Sequence, residues 1–78
     1  MITYCVEEEK LYHPDIGFYT AFGIAVHHIT DDAQKLIEFV SDAFLEKQSA
    51  ENFVRLCNDL HLDVVHLQDA ITDTIAYL

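Results

Sequence analysis

The chain has 78 residues, about half of them apolar, with fourteen acidic and four basic side chains and a net charge of −10. That length gives a single domain, residues 1–78, whose thin core hides only about 60–65% of the unfolded surface. Five Phe and four Tyr argue against disorder, and the excess acid, spread over both halves of the chain, opposes non-specific binding to nucleic acid or to anionic membrane, because both demand cationic surface.

The start, MITYCVEEEK, carries acids where a secretory leader needs a cationic segment, and no apolar run reaches the ~20 residues that span a bilayer. The expected location is therefore cytoplasmic. Cys5 and Cys57 are expected as free thiols in such a compartment, with a Cys5–Cys57 disulfide as the alternative.

Residues 2–8, ITYCVEE, alternate with period two and predict a strand with Ile2, Tyr4 and Val6 on one face and Thr3, Cys5 and Glu7 on the other. Glu7-Glu8-Glu9-Lys10 carries the strand into solvent, and Leu11 and Tyr12 extend the pairing. His13-Pro14-Asp15-Ile16-Gly17 is the clearest turn, since Pro14 fixes φ and Gly17 tolerates positive φ. Between two β-like runs it reads as a hairpin loop.

Residues 18–29, FYTAFGIAVHHI, predict the longest strand. Phe18, Thr20, Phe22, Ile24, Val26 and His28 form a bulky face, expected to meet the core. Tyr19, Ala21, Gly23, Ala25, His27 and Ile29 form a smaller one, in which Gly23 marks a bulge or a close backbone approach. A hairpin alone is marginal in water, so the bulky face needs a cover.

Residues 30–45, TDDAQKLIEFVSDAFL, admit two readings. As a helix, Thr30 caps it and Ala33, Leu36, Ile37, Val40 and Phe44 form a stripe. As a strand, Ile37 and Phe39 lie opposite Leu36, Glu38 and Val40. Periodicity alone favours the helix; against it, Phe39 and Leu45 fall off the helical stripe, and a third strand would complete the sheet.

Residues 46–60 predict a helix with a stripe of Ala50, Phe53, Val54, Cys57 and Leu60, frayed at Asn58, Asp59 and His61. Asp63 caps a second helix with Val64, Leu67, Ile71, Ile75 and Leu78 on one face and Gln68, Asp69 and Asp73 outward. Together the two helices form a lid for the bulky face of residues 18–28.

Leu56-Cys57-Asn58, the turn Asp59–Val65, His66-Leu67-Gln68-Asp69-Ala70-Ile71-Thr72-Asp73 and the Phe22-Gly23-Ile24 segment give the chain a resemblance to a family of small, uncharacterised bacterial proteins. The resemblance implies three strands followed by two helices, which tips residues 33–45 toward strand. It implies no activity and no functional residues. Asp63-Val64-Val65 departs from the family's serine–proline helix start, and Phe44-Leu45 from its polar capping segment.

Chemistry-bearing residues are scattered. His27 and His28 are adjacent on a strand and point to opposite faces. His61 and His66 miss the i, i+4 ligand spacing, and His13 sits beside a proline. A composite metal site from His27, His61 or His66 with Cys57 or a nearby carboxylate needs tertiary proximity. Cys5 has no sequence-readable base, Cys57 lies in an apolar stripe that silences a thiol, and Ser41 and Ser49 have no motif around them. Asp31-Asp32 reads as turn solvation, and no glycine-rich loop cradles phosphate. Tyr19, Ile29, Leu45, Leu62 and Tyr77 have no certain core place and suggest a contact surface.

The sequence therefore predicts an α+β fold, a three-stranded antiparallel meander packed against two C-terminal helices. Phe22, Ile24, Val26, Phe53, Cys57, Leu67, Ile71 and Ile75 are its expected core. No catalytic, cofactor-binding or metal-binding residue is assigned, and no cofactor is expected. The expected role is a small acidic, non-enzymatic module that binds an unidentified protein partner or itself as a homodimer, without direct nucleic-acid or membrane binding. A zinc-binding protein using His and Cys is one alternative, and an acidic decoy of a nucleic-acid-binding protein is the other.

Overall fold

A computed structural model describes residues 1–76; the expectations placed on Tyr77 and Leu78 lie outside the described residues. The chain forms β1 (Ile2–His13), β2 (Gly17–Ile29), β3 (Gln34–Phe44), α1 (Lys47–Asp59), a 3-10 turn (Val64–His66) and α2 (Leu67–Ala76). The strands form an antiparallel sheet in the order β1-β2-β3, so the fold is the α+β meander with two following helices. Residues 34–44 are strand, which resolves the segment that periodicity left open.

The hairpin turn sets the register. Gly17 takes φ +81°, the Ile16 N–H donates to the His13 carbonyl, and His13 pairs with Gly17. This is the geometry of a three-residue loop closed by a left-handed glycine. Counting back from that pair places Tyr4 opposite Val26, Cys5 opposite Ala25 and Glu9 opposite Ala21. β1 is longer than the alternating segment 2–8, because Glu7–Lys10 stay within the ladder.

One face of the sheet packs under the helices. Tyr4, Phe22, Ile24, Val26 and Phe44 meet Ala50, Phe53, Cys57, Leu67 and Ile71 in a single apolar cluster. The rings of Phe44 and Phe53 lie 5.3 Å apart. Side chains four and three apart on α1 (Ala50, Phe53, Cys57) fall on one stripe, so their burial follows from the helical repeat.

Three expected core positions are corrected. Phe18 has the right parity but is 86% exposed, because the hairpin end runs past the helical cover; its ring leans on exposed Tyr12 at 5.1 Å. Ile75 is 48% exposed on the rim beside Ala43, Phe44, Leu45, Glu46 and Ser49, where the last turn of α2 overlies the β3–α1 connection rather than the sheet. Leu60 is exposed because α1 ends at Asp59 and the chain turns away.

That turn is ordered without glycine. The Leu62 N–H donates to the Cys57 carbonyl, the His61 N–H donates to the Asn58 carbonyl, and His61 takes φ +51°. The pattern is the paired-carbonyl helix stop that glycine usually occupies. Asp63 then caps the next turn, its Oδ1 accepting from the Val65 N–H at 3.1 Å.

Asn58 does not fray α1. Its Oδ1 accepts from the Tyr4 N–H at 2.9 Å and its Nδ2 donates to the Tyr4 carbonyl at 3.0 Å. A side-chain amide thus supplies to β1 the two bonds that a neighbouring strand would supply. The Tyr4 hydroxyl donates to the Leu62 carbonyl at 2.6 Å, fastening the same residue to the turn after α1.

Candidate functional site

Among the described residues no helix covers the sheet's second face. Thr3, Cys5, Glu7 and Glu9 of β1 stand on it beside His27, Ala25, Gly23 and Ala21 of β2, as the register requires. Ala21, Gly23 and Ala25 are buried nonetheless. They are covered by side chains reaching in from the flanking strands, not by a second layer. A Cβ built on Gly23 would meet Phe39 Cζ at 2.6 Å and the Val40 carbonyl oxygen at 2.9 Å, so the close approach expected at Gly23 is real.

Two irregularities in β3 shape this face. Between the pairs Phe22–Phe44 and Ile24–Val40, Gly23 alone stands opposite Ser41, Asp42 and Ala43. Asp42 takes φ +54° in that bulge. Glu9 bridges across β2 to hold it: Oε1 accepts from the Ser41 hydroxyl and Oε2 from the Asp42 N–H, each at 2.7 Å. The Tyr19 hydroxyl donates to Asp42 Oδ2 at 2.7 Å, and that bond to a carboxylate raises the phenol's pKa. Only small residues on β2 leave room for such a crossing.

The second irregularity lies between the pairs Val26–Glu38 and His27–Leu36, where Ile37 is the extra residue. It overturns the simple alternation expected for this strand. Leu36 shares the open face with Phe39, while Glu38 and Val40 turn to the helix side. Leu36, Ile37 and Phe39 are 53%, 42% and 38% exposed. A depression of about 400 Å³ is lined by Glu7, Glu8, Glu9, Ala25, His27, Leu36 and Phe39.

The Cys5 Sγ lies 3.4 Å from the Nδ1 of His27, one of the residues that line that depression. No base stands near Cys5 in the sequence; the hairpin register supplies one, since Cys5 pairs with Ala25 and His27 is its diagonal neighbour. Desolvation, with the Glu7 carboxylate adding to it, raises the Cys5 thiol pKa. The thiol is therefore protonated near neutral pH, the opposite of what an activated nucleophile needs.

The remaining candidates separate. Cys57 is buried on the helix side of the sheet, where desolvation pushes its thiol up to about 11, so the two cysteines are free thiols on opposite faces. His28 is exposed and paired with Ile2, His13 accepts from the Asp15 N–H at the hairpin turn, and His61 lines a depression with Met1, Ile2, Leu62, Asp63 and Val64. His66 closes the 3-10 turn, exposed, its N–H donating to the Asp63 carbonyl. Among the described residues no group of three or more His, Cys, Asp or Glu is placed to hold a metal ion.

The apolar residues expected at a contact surface also disperse. Tyr19 is engaged with Asp42, Leu62 packs against the core, and Leu45 is 71% exposed beside Ile75. Ile29 is half-buried, its N–H donating to the Met1 carbonyl. Among the described residues no helix is long and apolar enough to cross a membrane. Comparison of the chain with family models, with curated proteins and with solved structures found no match.

Proposed function

We propose that this chain is a small acidic protein-interaction module without catalytic activity, docking a protein through the sheet face its helices leave open and along β3. The observation that carries the reading is the run Leu36, Ile37 and Phe39, three large apolar side chains exposed on an edge strand beside a floor of Ala21, Gly23 and Ala25. An exposed apolar patch rimmed by charge is a usual mark of a protein contact. An unpaired strand edge adds main-chain donors and acceptors that a second strand can meet.

The other edge is less available. β1 is tied to Asn58 at Tyr4 and carries Glu7-Glu8-Glu9. Residues 34–40 hold one Lys and one Glu, a neutral strip in a chain of net charge −10.

The test is capture from native cell extract on two baits, wild type and Leu36→Glu, each checked for native circular dichroism and melting. Proteins retained by the wild type and lost with Leu36→Glu support the open face as the docking surface. An identical captured set on both baits overturns it.

A further inference from the structure

We propose that Cys5 and His27 are one half of a tetrahedral zinc site, completed by the same pair from a second copy of this chain packed open face to open face. The inference rests on the docking role of that face and names its occupant.

A tetrahedral zinc with Zn–S of about 2.3 Å and Zn–N of about 2.0 Å sets its sulfur and nitrogen about 3.5 Å apart. Cys5 Sγ and His27 Nδ1 stand 3.4 Å apart, so the two donors already span one edge of the coordination tetrahedron. Neither residue has to leave its strand position.

A cysteine's Cβ–Sγ arm and a Zn–S bond together extend roughly 5 Å above the backbone, and packed sheets lie about 10 Å apart. An ion held between two such faces is therefore at the height each thiol reaches from its own side. The surface around it offers apolar contact: Leu36 and Phe39, 53% and 38% exposed beside His27, would be covered by the second copy.

Two protein ligands make a weak site, and no third His, Cys, Asp or Glu is in place within one chain among the described residues. A two-fold axis through the ion supplies two thiolates and two imidazoles, a closed Cys2His2 set. Each Cys5 thiol releases its proton to solvent as its sulfur bonds zinc, so two protons leave and one Zn²⁺ enters with no change in net charge. The Glu7 carboxylates on the facing surfaces repel each other, which keeps the metal-free chains apart.

The test uses the full chain, reduced, with zinc chloride as the only added metal. Sedimentation velocity is expected to show a monomer without zinc and a dimer at one zinc per two chains. Cys5→Ser and His27→Gln should each abolish the zinc-dependent dimer, whereas His28→Gln, one residue along on the opposite face, should leave it intact. Cobalt in place of zinc should give a thiolate-to-cobalt absorption band in the wild type that Cys5→Ser removes. Circular dichroism confirms that each variant is folded, and the two ligand variants are independent of each other. One zinc per chain without dimerisation, a dimer that persists in Cys5→Ser, or a chain that stays monomeric with zinc overturns the inference. If Leu36-dependent capture survives in that last case, the docking face stands and only its metal-bridged occupant is lost.

Discussion

The two faces of this sheet are made by the same three strands and have opposite fates. On the helix side, Tyr4, Phe22, Ile24, Val26 and Phe44 are large, and α1 and α2 bring Ala50, Phe53, Cys57, Leu67 and Ile71 down on them. On the other side, β2 offers Ala21, Gly23 and Ala25, and the cover comes from Phe39 and Glu9 lying across the small floor. The difference lies in side-chain volume at alternate positions of β2. Bulk on one face demands a second layer; smallness on the other lets flanking side chains close it, leaving those same side chains half in solvent. The first face is a folding core, and the second is a surface with apolar residues to spare.

Substitutions should separate the two faces. The largest effect is expected from Phe53→Ala, which empties the centre of the helix side and should lower unfolding free energy by about 3–5 kcal/mol in denaturant titration. A loss below about 1 kcal/mol would mean that the helices are not what the bulky face packs against. On the open side, Gly23→Ala adds one methyl where Phe39 can swing away but the Val40 carbonyl oxygen, 2.9 Å off, cannot. A loss of about 1–3 kcal/mol is expected from that overpacking, with no change in the helical circular dichroism signal. An unchanged stability would show that β3 does not approach β2 as closely as described.

Asn58→Ala tests the border between the faces. It strips the Tyr4 N–H and carbonyl of their partners on the β1 edge. The expected cost is about 1–2 kcal/mol, softened to the extent that water reaches the freed groups. Hydrogen exchange should show the Tyr4 amide losing protection first, and an unchanged exchange rate there would count against the strand-mimicking role.

Alkaline pH gives a subtler test of burial on the helix side, through the Cys57 thiol. Burial raises Cys57 from an ordinary 9.0 to about 11. Below pH 9 the thiol is protonated in both folded and unfolded chains, and its contribution to stability is fully present. From pH 9 to about 11 the unfolded thiol ionises while the folded one does not, so stability falls with rising pH. Comparing the wild type with Cys57→Ala over that window should show the steeper loss in the wild type. Equal slopes would place Cys57 in solvent.

Much of this architecture was legible in the sequence. The turn His13–Gly17 fixed the hairpin, and the bulk difference between Phe22, Ile24, Val26 and Ala21, Gly23, Ala25 told which face needed a lid. The Phe53–Cys57 and Leu67–Ile71 spacings supplied that lid. What alternation could not carry was register within β3. An extra residue at Ile37 and three residues facing Gly23 break the period of two, so Leu36 joins Phe39 on the open face, where strict alternation parts them. Phe18, Leu60 and Ile75 are exposed at the ends of their elements, because a repeat reports which face a residue takes but not how far the opposing layer extends.

The candidate site was nearly invisible for the same reason. Cys5 and His27 are 22 positions apart, and their meeting depends on the sum of paired positions set by the hairpin turn. Counting back from His13 opposite Gly17 would have brought Cys5 beside Ala25, with His27 one diagonal away. Side-chain patterns cannot show the role of Asn58, because its partner is the backbone of Tyr4.

The claim that one face holds the fold while the other is free to dock is tested most directly by the unfolding free energy of Leu36→Glu. Leu36 is 53% exposed at the border of the open face, and its replacement should leave stability within about 1 kcal/mol of the wild type. A loss above about 2 kcal/mol would show that this face belongs to the folding core and is not a surface held in reserve for a partner.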